Sequence, residues 1–208
     1  TKSIVEDLNK ALYLAMQEKW GPVHVNIPRD ILAGVESFKS YIIKDTIENK
    51  NVDEKDIEKI SLLIDSSSKP VIICGAGIKN SNSQNEIISL SKKLNIPIVS
   101  SAGHGDVIPS DYELYAGQMG PRGNKIASSL VKNADLILAI GTRLGFNSTF
   151  YSYDNISKFA KIVQVDIDPI ALGRYFPIEV GINNDAKIFL ENFISFMSRK
   201  DFKNNSEI

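Results

Sequence analysis

NADLILAIGTRLGFNSTFYSYDNISKFAKIVQVDIDP, residues 133–169, decides the fold. Residues 136–140 form a short, nearly continuous apolar run, and residues 161–165 form a second. Each stops abruptly at Gly or polar residues, the pattern of strands buried on both faces of a parallel sheet. In open sheets of this kind the carboxyl ends of the strands carry the ligand groups. Here those ends are Gly141-Thr142-Arg143 and Asp166-Ile167-Asp168. A glycine permits close backbone approach, an arginine offers a fork of donors to a phosphate, and a carboxylate can accept from a ribose or adenine. The outline is that of a nucleotide pocket, although the same residues also serve as plain turns in many α/β domains.

Bulk properties narrow the classes. A chain of 208 residues, 43% hydrophobic, holds a full α/β core and an appendage. With 24 Lys+Arg against 25 Asp+Glu there is no basic excess to drive binding to nucleic acid or an anionic membrane. No apolar run approaches the roughly 18 residues that span a bilayer. The single cysteine, Cys74, lies inside an apolar run with no partner for an intrachain disulfide, which suits a buried thiol and a cytoplasmic setting. The chain opens on Thr1-Lys2 without Met, directly into a helical pattern, so the expectation is a piece of a longer polypeptide.

Upstream, Ile4, Leu8, Ala11, Leu12, Leu14, Ala15 and Trp20 fall at helical spacing, with Ser3 and Glu6 placed as a capping box. Gly21-Pro22 ends this helix, and residues 23–27 alternate as a strand closed by Pro28, with His24 in a structural position. One helix and one strand cannot make a core. They read as the end of a preceding domain over residues 1–32, followed by a linker over 33–52 that is long for a connection inside one domain. The main domain is expected over residues 53–198 and a frayed tail over 199–208.

Within it the order is a helix over 53–65, a strand over 71–74, a tight turn at Gly75-Ala76-Gly77-Ile78 and a helix over 84–94. Strand, glycine turn and helix in that order typify nucleotide-binding units. A dinucleotide fingerprint, however, wants a third small residue where Asn80 stands and an acidic residue after residues 98–99, where Ser100-Ser101 stands; a nicotinamide site is disfavoured. Residues 100–123 form a Gly-rich loop carrying His104 and Arg122, of the kind that holds function at strand ends. Asn124 caps a helix through residue 132, residues 176–180 suggest a last strand, and residues 184–197 a closing helix with Ile188, Phe189, Phe193 and Phe196 inward.

The inventory of chemistry holds no nucleophile elbow, no P-loop and no paired Cys-x-x-Cys knuckles, so neither catalytic nor metal-ligating residues are assigned. Asp166 and Asp168 could point the same way as a metal pair, but Pro169 follows and no third oxygen ligand accompanies them. Phe146, Phe150, Tyr151 and Tyr153 suit a stacking surface, an interface or a core cover.

Taken together, four stretches resemble one family. Gly21-Pro22-Val23-His24-Val25-Asn26-Ile27-Pro28-Arg29-Asp30 is similar to the segment closing the pyrimidine-binding domain of thiamine-diphosphate enzymes of the acetolactate synthase type. Lys69-Pro70 with Gly75-Ala76-Gly77, then residues 133–143, then Val165-Asp166-Ile167-Asp168-Pro169 resemble the central domain that follows. The resemblance implies a six-stranded parallel doubly wound sheet flanked by helices, which holds FAD in some members, an adenine nucleotide such as ADP in others and nothing in the rest. By position, Gly75, Ala76, Gly77, Ser101, His104, Gly141, Thr142, Arg143, Asp166, Asp168 and Asp185 would surround that ligand.

Leu144-Gly145-Phe146-Asn147 follows Gly-x-Arg where acetolactate synthases tend to carry an aromatic and two aspartates, so a sulfoacetaldehyde acetyltransferase fits equally. The resemblance places thiamine diphosphate and Mg2+ in other domains of the full enzyme and makes this piece inert alone. The full enzyme, a homodimer or tetramer, would act on a 2-oxo acid or related small molecule and pass on an acyl unit. A scaffold with an empty pocket is a further reading. Gly-Ala-Gly-Ile and Asp-Leu-Ile-Leu-Ala-Ile-Gly-Thr also look like sirtuin deacylases, but those need a four-cysteine zinc module, against one cysteine here.

Overall fold

The structure is a computed structural model, and it describes residues 3–16, 21–35, 37 and 51–199. The chain divides into two compact units, Thr1–Asn49 and Lys50–Ile208.

The first unit contains helix α1 (Ile4–Ala15) and a single turn, α2 (Arg29–Leu32), neither of which buries a residue. Ser3 sits in helical backbone geometry and its side chain makes no cap bond, so the expected capping box does not form; an N-cap side chain reaches its target only from extended geometry. Residues 23–27 form no strand. Alternation marks two faces of an extended segment, but a strand also needs ladder partners. Residues 17–20, where the expected helix would continue, residues 36 and 38–50 of the expected linker, and residues 200–208 of the tail lie outside the described residues.

The second unit is a six-stranded parallel sheet between helices. Its elements are α3 (Glu54–Asp65), β1 (Pro70–Cys74), α4 (Ala76–Asn80), α5 (Gln84–Leu94), β2 (Ile98–Ser100), β3 (Tyr115–Gln118), α6 (Lys125–Asn133), β4 (Leu136–Ile140), α7 (Phe146–Thr149), β5 (Lys161–Asp166), a 3-10 turn (Pro169–Ala171), β6 (Val180–Asn183) and α8 (Ala186–Ser198). The strand order is β3-β2-β1-β4-β5-β6, every pair parallel. Both halves wind outward from the β1–β4 pair, so the switch point of the topology lies between the ends of those two strands.

Strand alternation separates two cores. Ile72, Cys74, Leu136, Leu138, Ile140, Val163 and Val165 face α3, α5 and α8. Val71, Ile73, Ile137, Ala139 and Ile162 face the opposite layer with Ala127 and Val131 of α6. Because both faces are covered, β1 and β4 read as unbroken apolar runs. Helix starts follow their caps: Asp53 accepts from Lys55 N at 3.0 Å, Asn124 from Ile126 N at 2.7 Å and Asp185 from Lys187 N at 2.8 Å.

Four local expectations are corrected. Gly75 is the extended N-cap of α4, so the turn expected at 75–78 opens a short helix. The loop at 100–123 contains the edge strand β3, whose half-buried Tyr-Ala-Gly-Gln carries no apolar run. The last strand begins at Val180, after Pro177 and the burial of Phe176, and not at 176. In α8 the inward face is Phe189, Leu190, Phe193 and Met197, a few tens of degrees round from the one expected.

Candidate functional site

At the switch point three glycines are interlocked. Gly75 N donates to Ile140 O at 3.2 Å, Gly141 N to Val165 O at 2.8 Å and Gly77 N to Gly141 O at 3.0 Å. A Cβ on Gly75 would lie 2.3 Å from Gly141 O, and one on Gly77 2.5 Å from the Gly141 Cα. Gly141 itself has φ +62°, a region open to glycine and closed to most side chains. Thus the absent side chains at all three positions are accounted for by backbone packed on backbone. Ala76 starts α4 beside this contact and is half-buried.

After β4, Thr142 is buried and Arg143 is exposed. Among the described residues no ion pair or hydrogen bond of the Arg143 side chain is present, and beside it Gly145 faces open space. A fixed frame surrounds them. Gln164, on the Ile162 face of β5 and 2% exposed, donates to Thr142 O at 3.1 Å and Ala171 O at 3.2 Å, and accepts from Gly173 N at 2.9 Å.

The carboxylates are engaged with backbone. Asp166 accepts from Asp168 N at 2.9 Å, Asp168 caps the 3-10 turn through Ile170 N at 3.2 Å, and Asp185 caps α8. Asn183 Nδ2 donates to Ile167 O at 2.9 Å and ties β6 to the end of β5.

After β2, Ser101 is buried, with its N–H on Cys74 O at 2.8 Å. The following loop is pinned by side chains from both flanks: Ser148 Oγ accepts from Ala102 N at 2.9 Å and Gln118 Oε1 from Gly103 N at 3.1 Å. His104 is half-buried between exposed glycines. Lys79 pairs with Asp106, and that hydrogen bond holds the Asp106 carboxyl below its usual range. The Cys74 thiol, fully buried beneath the crevice, is pushed far up by desolvation and stays protonated.

The exposed aromatics lie on the β4–β5 connection. Phe146 and Phe150 centroids are 4.8 Å apart, Tyr151 stacks on Tyr175 at 4.4 Å, and the Arg174 guanidinium lies 5.2 Å over the Tyr175 ring. Phe150 and Tyr151 both have positive φ, near 50° and 55°, which costs each of them free energy that the surrounding contacts must offset. A groove of ≈ 380 Å³ between α5 and α8 is lined by Asn85, Glu86, Ser89, Glu191, Ile194 and Ser195, none of them a strand-end residue named above.

The family model described as the thiamine pyrophosphate enzyme central domain matches residues 57–193. The chain belongs to the thiamine pyrophosphate enzyme family, as its central domain. Curated relatives agree. A sulfoacetaldehyde acetyltransferase of Roseovarius nubinhibens is 32% identical over 197 residues, 94% of this chain and 32% of its own length. One from Castellaniella defragrans is 34% identical over 174 residues, 82% of this chain and 29% of its own. The acetolactate synthase large subunit of Haemophilus influenzae is 28% identical over 217 residues, covering all of this chain and 37% of its own. The chain therefore spans about a third of the length of these relatives.

The family's name implies thiamine pyrophosphate, and the described residues do not fit a metal-bound diphosphate, since among them no three His, Cys, Asp or Glu come together as a cation site. For a nucleotide the fit at the strand ends rests on the exposed Arg143 after β4 and Arg174 after β5, with open space at Gly145 and Gly103. Among the described residues no helix of this central domain or its appendage is long and apolar enough to cross a membrane. Sequence reasoning missed Gln164, Ser148 and Gln118, which fix the loops. Only Gln164 left a signal, a lone amide inside an apolar run.

Proposed function

We propose that this chain is the central domain of a thiamine-diphosphate-dependent enzyme that cleaves or decarboxylates a 2-oxo acid or related substrate and transfers the acyl unit. The observation that carries the reading is the family match over residues 57–193 on a sheet ordered 3-2-1-4-5-6. In this reading residues 1–32 close the preceding pyrimidine-binding domain and residues 33–52 link it to the central domain. Thiamine diphosphate and Mg2+ bind in other parts of the full, cytoplasmic, dimeric or tetrameric enzyme. The strand ends hold FAD or ADP, with Arg143 on the phosphates and Ser101, His104, Gly141, Thr142, Asp166 and Asp168 around the crevice. Gly75, Ala76 and Gly77 form its floor, and Asp185 its far side.

Thermal denaturation of the chain with FAD, ADP, ATP and NAD tests the pocket, because a ligand held only by the folded state raises the midpoint with its concentration. A rise with FAD or ADP that disappears in Arg143→Ala is expected; no rise with any of the four would leave the scaffold reading. Between substrate classes, the 32–34% identity to sulfoacetaldehyde acetyltransferases favours that reaction as the second reading beside acetolactate synthesis. Feeding the full-length enzyme sulfoacetaldehyde or a small 2-oxo acid separates them by which one is consumed.

A further inference from the structure

Gln164 is an amide in an inner strand of the sheet, 2% exposed, on a face where its strand neighbour Ile162 packs into an apolar cluster. Burying an amide is unfavourable unless its donors and acceptor are satisfied. Here all three are, and every partner is loop backbone: Thr142 O and Ala171 O receive its two N–H groups, and Gly173 N donates to its oxygen. One side chain thus ties the loop leaving β4 to the turn leaving β5. The residues immediately beyond the two tied points are Arg143 and Arg174, both exposed. The same two connections meet again outside the sheet, where Tyr151 stacks on Tyr175 at 4.4 Å beneath Arg174.

We propose that Gln164 is a positioning residue, a strut that fixes Arg143 against the Gly173–Tyr175 turn so that Arg143 and Arg174 face one anionic ligand together. The ligand part rests on the nucleotide reading above. The strut itself rests on the three hydrogen bonds. Its ligand class is a phosphate ester or diphosphate, because two guanidinium forks on preset loops suit adjacent phosphate oxygens.

A double-mutant cycle on the chain, read by ADP and FAD titration well below the unfolding midpoint, tests it. Gln164→Met keeps the length and removes the hydrogen bonds; it is expected to weaken binding at least tenfold, as Arg143→Ala does. The pair should lose less than the sum of the two single losses, because Gln164 acts in part through Arg143. Additive losses, or unchanged affinity in folded Gln164→Met, overturn the proposal. Gln164→Glu supplies a second arm if the methionine variant does not fold. It keeps the acceptor for Gly173 N and loses the donors to Thr142 O and Ala171 O, so part of its lost affinity should recover as pH falls and the carboxyl gains one proton to donate, with no such recovery in wild type. Absence of recovery counts against the strut.

If wild type binds neither ADP nor FAD, the nucleotide reading fails separately. The strut is then judged on the Gly173 amide, which donates to Gln164 Oε1 at 2.9 Å. In Gln164→Met, which removes the acceptor for Gly173 N, the Gly173 amide should exchange faster. Unchanged exchange there would mean that Gln164 does not position these loops.

Discussion

The β1–β4 pair is fastened at both ends, and the two fastenings differ in kind. At the amino ends, the Asp135 carboxylate accepts from the Ser67 hydroxyl, from Ser68 N at 2.7 Å and from Lys69 N at 2.9 Å. At the carboxyl ends, Gly75, Gly77 and Gly141 close on one another without any side chain. A carboxylate at the amino ends accepts hydrogen bonds that can be lost singly. A glycine contact has no weak component to lose; any added atom must displace backbone. The end closest to the candidate site is therefore the end held by shape, which leaves the polar side chains around it to orient loops.

Gly75→Ala is the sharpest way to break the comparison. Its Cβ would meet Gly141 O at 2.3 Å and the Thr142 Cβ at 2.6 Å, and overpacking against backbone is expected to cost about 3 kcal/mol or more, read as a lowered urea midpoint. Gly103→Ala is the control: nothing lies within 4 Å of its Cβ, and only its φ of +87° resists, about 1 kcal/mol.

Next comes Cys74 under the glycine contact. Its folded pKa lies above the unfolded value of 9.0, so its stabilising contribution is complete below pH 9 and is lost as pH rises beyond it. Stability should fall by about 1.4 kcal/mol per pH unit above 9 relative to Cys74→Ala, and the thiol should resist alkylation at neutral pH until the protein unfolds.

At the opposite end, burial alone would raise the Asp135 carboxyl, but the Ser67, Ser68 and Lys69 donors outweigh it and hold it below 3.8. That contribution is present above the unfolded value and lost as pH falls through the folded one. Asp135→Asn should cost about 1 kcal/mol at pH 7, with wild type and variant converging in acid; a constant gap down to the lowest pH would show that charge has no part. Lys79→Ala removes an exposed ion pair and should leave the melting temperature unchanged within error. A clear drop there would mean that the crevice rim is held as firmly as the glycine contact.

How much of this could be read from the sequence follows from what each signal encodes. Residues 136–140 and 161–165 announce strands because burial on both faces removes polar residues. The helix over 84–94 and the cap Asn124 are local and were legible for that reason. β3 and α7 were not, because Tyr-Ala-Gly-Gln and Phe-Asn-Ser-Thr acquire their geometry from neighbours far along the chain. The same limit blurs the site. Asp168 before Pro169-Ile170 and Asp185 before Ala186-Lys187 are spaced as helix caps, and a cap and a ribose contact look alike in sequence. Gly75, Gly77 and Gly141 announced close approach correctly, while the partner in that approach is the chain itself. The sequence-level resemblance carried the family, and the family match over 57–193 bears it out.

The closure at Asp135 has a consequence for how the domain is made. Lys69 and Asp135 stand 66 positions apart, and β1 has β4 as an obligatory neighbour. During synthesis the β1-β2-β3 half emerges first, with the whole Val71–Cys74 side of β1 unpaired, a hydrogen-bonding edge that in the finished protein lies at the centre of the sheet. Until β4 arrives, a strand that is buried along its whole length in the finished protein is an adhesive surface, and the interval is set by translation rate and not by stability.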